Sequence, residues 1–468
     1  FYGADGCREP TGFDHRKWNW CNMNKQELVE MVRRSGVVGA GGAGFPTHVK
    51  LASAPEWIIV NGAECEPLLR VDQQLLRTQM PVLRAGIQAL KVALDPHTVS
   101  IAVKAKHAAL IAEMKKSGWP PYVRIVELDD YYPAGDELLL VREVTGRTVG
   151  EGGIPLEVGV VVINVETLYN VARALDNAPV TEKFVTVAGA VREPRTVRVP
   201  LGVPVGELVA MAGGATEKDV VLIDGGPMMG RLIEDPSQPV AKTTKGVLVL
   251  PAGLGLVRKR LAPWAGVRLR ASQCEMCRAC TDMCPRYLLG HSVAPHLVMR
   301  SYVFGDGAVT AASVMGALLC VECGVCENYA CPTDIFPRRV MAAAKAALLT
   351  SGARWRKDSG REPRPREFRE ERRVPSKRLI ARLGLAPYDV PAPLAKTDRV
   401  WKKVVLPLKP PFGAVCLPVV KAGDLVHKGD LVGEIDGDRP GSRIHASIGG
   451  RVTYVDATRV VIESGVIG

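Results

Sequence analysis

The sequence predicts a multidomain protein of mixed α/β and α+β class, and three observations carry that reading. The chain has 468 residues, 47% hydrophobic and 24% charged, enough to bury several cores. At about 100–200 residues per domain this length suggests two to four domains. Its first part runs short apolar strands into helices, as in EWIIV (56–60) and VGVVVINVETLYNVARAL (158–175). Eight of its twelve cysteines fall in one short stretch, 274–331, well apart from that part.

Twelve cysteines are too few for a disulfide scaffold of this length. No uncharged apolar run approaches the about 18 residues of a membrane span, so no transmembrane segment is expected. The opening FYGADGCREPTGFDHRKWNWCN lacks an apolar core, so a secretory signal is not expected either. These features point to a soluble, cytoplasmic protein. Residues 1–22 form an N-terminal extension without a helical period, and Met23 reads as a natural start.

From residue 23 the elements follow in order. KQELVEMVRRS places Leu28, Val29, Met31 and Val32 on one helical stripe. Gly39, Gly41 and Gly44 then fit G-x-G-x-x-G, with Glu64 twenty residues after Gly44. The context is wrong for a Rossmann site, because a helix precedes the glycines and Phe45-Pro46 follows at once. The mechanism survives: clustered glycines expose backbone N–H groups to a phosphate, and Lys50 adds a positive charge. A plain surface loop is the alternative. EWIIV ends in NGAECEP, which sets Asn61, Glu64 and Glu66 at a strand's carboxyl end, where open α/β sheets bind ligands. Gly135, Asp136 and Glu137 start a helix in YYPAGDELLL, and Asn164, Glu166 and Thr167 sit where a strand turns into a helix. Acids converging on a glycine loop suit the hydroxyls of a flavin or of a nicotinamide nucleotide.

The later segments read as three more modules. In 181–255, FVTVAGAVREPRTVRVP is a β-hairpin pattern, VGELVAMAGG a helix with a glycine stop, and VVLIDGGPMMG a strand and turn. The segment 256–350 carries the cysteines. Cys274, Cys277, Cys280 and Cys284 spell C-x2-C-x2-C-x3-C-P, the bacterial ferredoxin run; Cys320, Cys323, Cys326 and Cys331 repeat it with one extra residue. Three thiolates spaced two apart wrap three corners of an iron–sulfur cube, and in two-cluster ferredoxins the fourth ligand crosses over. Cys274, Cys277, Cys280 and Cys331 are therefore expected to hold one 4Fe–4S cluster, and Cys320, Cys323, Cys326 and Cys284 the other. Structural zinc would want pairwise spacing instead. Cys7, Cys21, Cys65 and Cys416 remain as dispersed free thiols.

The formal charge of +12 is local. Residues 354–382 hold twelve basic and five acidic side chains, with only Trp355 and Phe368 as aromatics. That pattern argues against nucleic acid and for a basic, solvated linker over 351–400, with docking to an acidic partner as the second reading. From 401 to 468, short strands alternate with the glycine turns KAGD, HKGD and GGRV.

GAGGAGFPTHVK, NGAECEP, AGDE and NVET, in that order, resemble the flavin- and NADH-binding subunit of respiratory complex I. They are more similar still to the C subunit of the Rnf complex and to the cobalamin reductases of propanediol-utilising microcompartments. The two cysteine runs are most similar to those reductases. The resemblance covers about Asn24 to the C-terminus.

It implies an FMN/NADH-binding α/β domain over 23–180, a soluble-ligand-binding β-grasp (SLBB) domain over 181–255 serving as scaffold, and a two-cluster ferredoxin-type domain over 256–350. The C-terminal module, 401–468, would be a barrel-sandwich hybrid; its stretch DGDRPGSRIHAS has no lysine to carry a lipoyl group. Gly39, Gly41, Gly42 and Gly44 would surround the FMN phosphate, with Lys50 contacting it. Asn61, Glu64, Gly135, Asp136, Glu137, Asn164 and Thr167 would line the flavin, and Phe45 would stack near the nicotinamide. Two departures concern NADH: complex I has arginine where this chain has Ala40, and serine at Cys65.

The implied activity is an NADH-dependent oxidoreductase without acid or base residues. NADH would give hydride to FMN, which would release single electrons to the two 4Fe–4S clusters and on to cob(III)alamin or cob(II)alamin. Cobalamin, its adenosyltransferase and a bacterial microcompartment shell protein are the implied partners. The rival readings are an Rnf-type electron-entry subunit and a non-catalytic electron-transfer scaffold. No cobalamin motif is evident: Asp95-Pro96-His97 begins like a base-off loop, but Ser100 stands where glycine should be, so a turn is expected. His291 and His296 read as surface or capping residues.

Overall fold

The computed structural model describes residues 23–304, 314–357, 363–410, 412–437 and 439–465. Cys7, Cys21 and the extension 1–22 lie outside them. The first helix, Lys25–Arg34, is closed by a capping box between Asn24 and Glu27 and buries Leu28 and Val32, the stripe read from the sequence.

A four-stranded parallel sheet follows, built from β1 (Trp57–Asn61), β2 (Thr98–Lys104), β3 (Val123–Leu128) and, after the short β4 (Tyr131–Tyr132), β5 (Val160–Asn164). The order is β3-β2-β1-β5, with Asn61 and Asn164 paired in register at the carboxyl ends of adjacent strands. One face buries Ile58, Val60, Ile101 and Ile163 and the other Ile59, Ala102 and Val162, consistent with near-continuous apolar strands in a covered parallel sheet. Asp95 adopts φ 46° at the end of the helix Met80–Leu94, so DPH is the turn expected of it.

The β-grasp region supplies β6 (Glu182–Gly189), β7 (Arg195–Pro200), β8 (Val220–Asp224), β9 (Arg231–Ile233) and β10 (Gly246–Pro251). β6 and β7 form the expected antiparallel hairpin, and the helix Val205–Met211 ends at Gly213 and Gly214, both with positive φ. The cysteine region is made of short helices and loops between Trp264–Ala271 and Pro337–Thr350. The C-terminal module packs a four-stranded against a three-stranded antiparallel sheet.

These parts share cores. Leu406, Cys416 and Ile462 of the C-terminal module join the core of the parallel-sheet domain. A second core unites Leu69 and Tyr132 with Ile223 and Met228 of the β-grasp region and Cys323 and Val325 of the cysteine region.

The basic stretch corrects the sequence reading. In its described part it is only partly solvated: Arg364, Arg366, Lys377, Arg378 and Arg382 are exposed, but other residues pack. Arg369 is buried against Glu143, and Arg373 pairs with Asp129 at 2.5 Å and Glu143 at 2.7 Å. Val374–Pro375 pairs with β4, the helix Ser376–Arg382 buries Leu379 and Ile380, and Leu394–Ala395 adds a strand beside β7. Acids displayed by the parallel-sheet domain neutralise arginines that composition alone left in water. No helix among the described residues is long and apolar enough to cross a membrane.

Candidate functional site

The glycine loop is pinched shut at its base. Val38 bridges Pro46, Gly39 N–H donates to Phe45 O (2.9 Å), and Gly44 N–H donates to Gly39 O (3.1 Å). Gly42, at φ 121°, takes a conformation that side chains rarely adopt, and no atom would lie within 4 Å of an added Cβ. Among the described residues the amides of Gly41, Gly42 and Ala43 donate no hydrogen bond, and all three residues are exposed. Free N–H groups on a closed loop form an anion cradle. Ala40 faces inward, its N–H donating to Thr167 Oγ1 at 2.9 Å.

The other expected residues gather beside this loop. A Cβ on Gly41 would stand 3.5 Å from Asn164. Asn61, next to Asn164 across the strands, donates through Nδ2 to Gly135 O at 2.9 Å. Lys50 donates to Glu137 Oε1 at 2.7 Å and lies 5.9 Å from the Phe45 ring centroid, so it points at the acid and not at the glycines. Asp136 caps the helix Glu137–Thr145 through the N–H groups of Leu138 and Leu139. An unexpected member comes from the C-terminal module: the Phe412 ring lies 5.0 Å from that of Phe45.

Glu64 does something else. Its carboxylate accepts from Asp72 N (2.9 Å) and Gln73 N (3.3 Å) at the start of the helix Val71–Thr78. Burial, helped by the Asp72 charge, pushes its carboxyl above the usual range. Asp72 also accepts from Asn164 Nδ2 and pairs with Lys245, while Glu166 pairs with Lys183. Burial alone would depress Lys245, but the Asp72 and Glu64 carboxylates outweigh it and raise it. Both lysines come from the β-grasp region, so a buried ionic network joins the two regions beneath the loop.

The cysteine side chains neighbour one another in two groups. Cys280 feels Cys274, Cys331 and Cys277; Cys326 feels Cys320, Cys323 and Cys284. Burial pushes Cys280 and Cys284 up to about 12, so these thiols ionise only beside a compensating cation. Cys284, Cys320, Cys323 and Cys326 line one recess. Arg286 borders it, with a buried Nε that finds no hydrogen-bond partner among the described residues. No three His, Cys, Asp or Glu side chains among the described residues converge on a single ion. A larger cluster with one thiolate per corner suits two four-thiol sets, and the donors fit it.

Three contacts that sequence reasoning missed tie the glycine site to the cysteines. Arg286, two residues past Cys284, pairs with Asp136 at 2.8 Å. Tyr132 O–H donates to Cys323 O at 2.7 Å. Glu66 accepts from Tyr132 O–H and from the amides of Met228 and Met229. Only the proximity of YYP to AGDE hinted at the tyrosine; nothing in the sequence paired Asp136 with Arg286. His291 is buried and bonds Val149 O at 3.0 Å, against the surface reading, while His296 meets Thr281 Oγ1 at 2.7 Å.

Comparison with known proteins follows this layout. Residues 32–173 match the Nuo51 FMN-binding domain, 184–232 the SLBB domain, 273–336 the 4Fe-4S dicluster domain, and 393–467 the RnfC barrel sandwich hybrid domain. Cobalamin reductase PduS of Salmonella typhimurium is 42% identical over 446 residues, covering 95% of this chain and 98% of that protein. Its counterpart in Citrobacter freundii is 41% identical over 442 residues, 94% and 97% of the two chains. The C subunit of the proton-translocating ferredoxin:NAD(+) oxidoreductase complex of Clostridium ljungdahlii is 33% identical over 276 residues, 58% of each. With near-complete coverage at this identity, and with all four modules matched in order, the chain belongs to the PduS cobalamin reductase family.

Proposed function

We propose that this protein is an NADH-dependent cobalamin reductase in which electrons pass from FMN through two 4Fe–4S clusters to the cobalt of cob(III)alamin or cob(II)alamin. The observation that carries the reading is the joint between Asp136 and Arg286, which fixes the glycine-loop site and the Cys284 recess in one framework.

FMN, when bound, supplies the exchange between a two-electron hydride donor and one-electron acceptors. The chain's own part is to bind and orient. The amides of Gly41 and Gly42 receive the phosphate. Asn61, Gly135, Glu137, Asn164 and Thr167 border the ring and ribityl chain, and Lys50 balances Glu137. Glu64 supports the site from below by capping the helix that carries Asp72. Phe45, with Phe412 against it, offers the nicotinamide an apolar face. No side chain has to move a proton.

A cobalamin adenosyltransferase is the partner that such a product requires, because the reduced cobalt is consumed by alkylation. A shell protein would place the reductase in a microcompartment. The test is anaerobic: the isolated protein, loaded with FMN and iron–sulfur clusters, is expected to oxidise NADH and reduce cob(II)alamin without a membrane fraction. Turnover that appears only with membrane partners would favour the Rnf-type role, and bleaching of neither flavin nor clusters by NADH would end the enzyme reading.

A further inference from the structure

We propose that the two cysteine sets work in a fixed order. Cys284, Cys320, Cys323 and Cys326 form the entry centre beside the flavin. Cys274, Cys277, Cys280 and Cys331 form the exit centre, at a basic face where the electron acceptor docks. The inference rests on the function proposed above and adds direction to it.

Two contacts assign the entry. Arg286, which borders the Cys284 recess, reaches Asp136 at 2.8 Å, and Tyr132, on the strand leading to Asp136, donates to Cys323 O at 2.7 Å. Cys323 also lies within electrostatic reach of Asp136. The recess is closed in, since Cys284, Cys323 and Cys326 are all buried. Among the described residues, no contact of this kind links the flavin residues to the other set.

Exposure assigns the exit. Cys277 is the one fully exposed ligand of the eight; Cys274 and Cys280 are partly exposed, as is Cys320 of the entry set, while Cys331 is buried. Electron tunnelling falls steeply with distance, so a centre with an exposed ligand serves an external acceptor better than a buried one. The sequence around this set supplies Arg268, Arg270, Arg278 and Arg300 against Glu275 and Asp282, with Arg286 committed to the entry side. Arg278 and Arg300 both face His296, which is bonded to Thr281 beside Cys280. Arg278 is shared with Asp282 at 3.2 Å, while Arg300 is exposed with no ion pair among the described residues. Such a rim selects an acceptor that presents negative charge, here an acidic protein surface holding the corrin.

The electrons balance simply. NADH gives up hydride and becomes NAD+; the hydride amounts to one proton, released to solvent, and two electrons. Each electron passes entry centre then exit centre and reduces one cobalt by one unit, so two cobalts are reduced per NADH.

Two variants test the order in the loaded, full-length protein. Cys277→Ala should leave one cluster by iron count and electron paramagnetic resonance. NADH should still reduce that cluster to the wild-type extent, while cob(II)alamin reduction falls at least tenfold. If the flavin bleaches but the remaining cluster stays oxidised, the order is overturned. Arg300→Glu changes an exposed side chain that forms no ion pair among the described residues. It should leave NADH-driven bleaching of both clusters unchanged, yet slow electron delivery to an acceptor-bearing adenosyltransferase at least fivefold at low salt and flatten its salt dependence. Unchanged delivery and salt dependence would refute the exit face, even if Cys277→Ala fails to fold. Should NADH not bleach the wild-type flavin at all, the NADH reading fails by itself. The order is then read with photoreduced flavin as the source, and the same outcomes decide it.

Discussion

Asp136 shows how one side chain serves two scales of structure. It caps the helix Glu137–Thr145 and holds Arg286 across to the cysteine region, with both side chains largely buried. Replacing an N-cap by alanine costs about 1 kcal/mol, and leaving a mostly buried partner unpaired costs more, about 3 kcal/mol at the low end of measured cases. Asp136→Ala should therefore destabilise the protein by about 4 kcal/mol. Asp136→Asn keeps the cap and loses only the ion pair, so it should be the milder variant by about 1 kcal/mol. Urea midpoints compare the two, and equal losses would remove the cap from the account. At this scale the sequence was legible where chemistry is local. The glycines, Asn61 and Asn164 announce themselves by position at strand ends, and the eight cysteines by spacing. Arg286 and Phe412 did not, because a pairing across 150 or more residues leaves no periodic trace.

Between elements, the informative feature is the ion pair of Glu166 and Lys183. It joins the helix Val165–Leu175 to β6, and both side chains are 1% exposed. Burial raises the Glu166 carboxyl and lowers the Lys183 amine, each against the pull of the other. A buried pair contributes little net stability, but breaking it is costly because one charge is left alone. Lys183→Met is thus expected to cost about 3–5 kcal/mol. Adding Glu166→Gln removes the stranded charge, while the amide oxygen can still accept from Phe184 N, which the carboxylate does at 3.0 Å. The double variant should recover most of the loss in a thermal or chemical melt, and a double variant as unstable as Lys183→Met would contradict this. The elements themselves were readable: every strand and helix start singled out before the cysteine region is present, because apolar period and capping residues determine them. The packed state of residues 363–395 was not. Its arginines look solvated until the acids they meet, Asp129 and Glu143, are seen on the other domain.

Across the whole molecule, three modules meet at one amine. Lys242, in the β-grasp region, donates to Gly36 O at 2.7 Å beside the glycine loop, and to Ser442 Oγ at 2.8 Å and Arg443 O at 2.6 Å in the C-terminal module. Burial lowers it from 10.5 to about 7, with Cys416 pulling weakly the other way. Between these two values the unfolded chain holds a proton that the folded chain lacks, so Lys242 makes stability rise with pH across that window. The slope reaches at most about 1.4 kcal/mol per pH unit. Below about 7 both states are protonated and the dependence vanishes. Two ionisable neighbours are coupled to it: burial pushes Cys416 from 9.0 up to about 11 against the pull of Lys242, and burial with the Lys242 and Arg443 charges brings His445 from 6.5 down to about 3. Lys242→Met removes this titration, and below the ordinary Cys416 value of 9.0 and above the ordinary His445 value of 6.5 neither neighbour titrates. The stability difference between wild type and Lys242→Met should therefore move in favour of the wild type from about pH 7 to pH 8.5. A difference that is level across the alkaline range would mean that the three acceptors keep the amine charged. The joint would then be a permanent ionic staple between the flavin domain and the module that brings Phe412 to it.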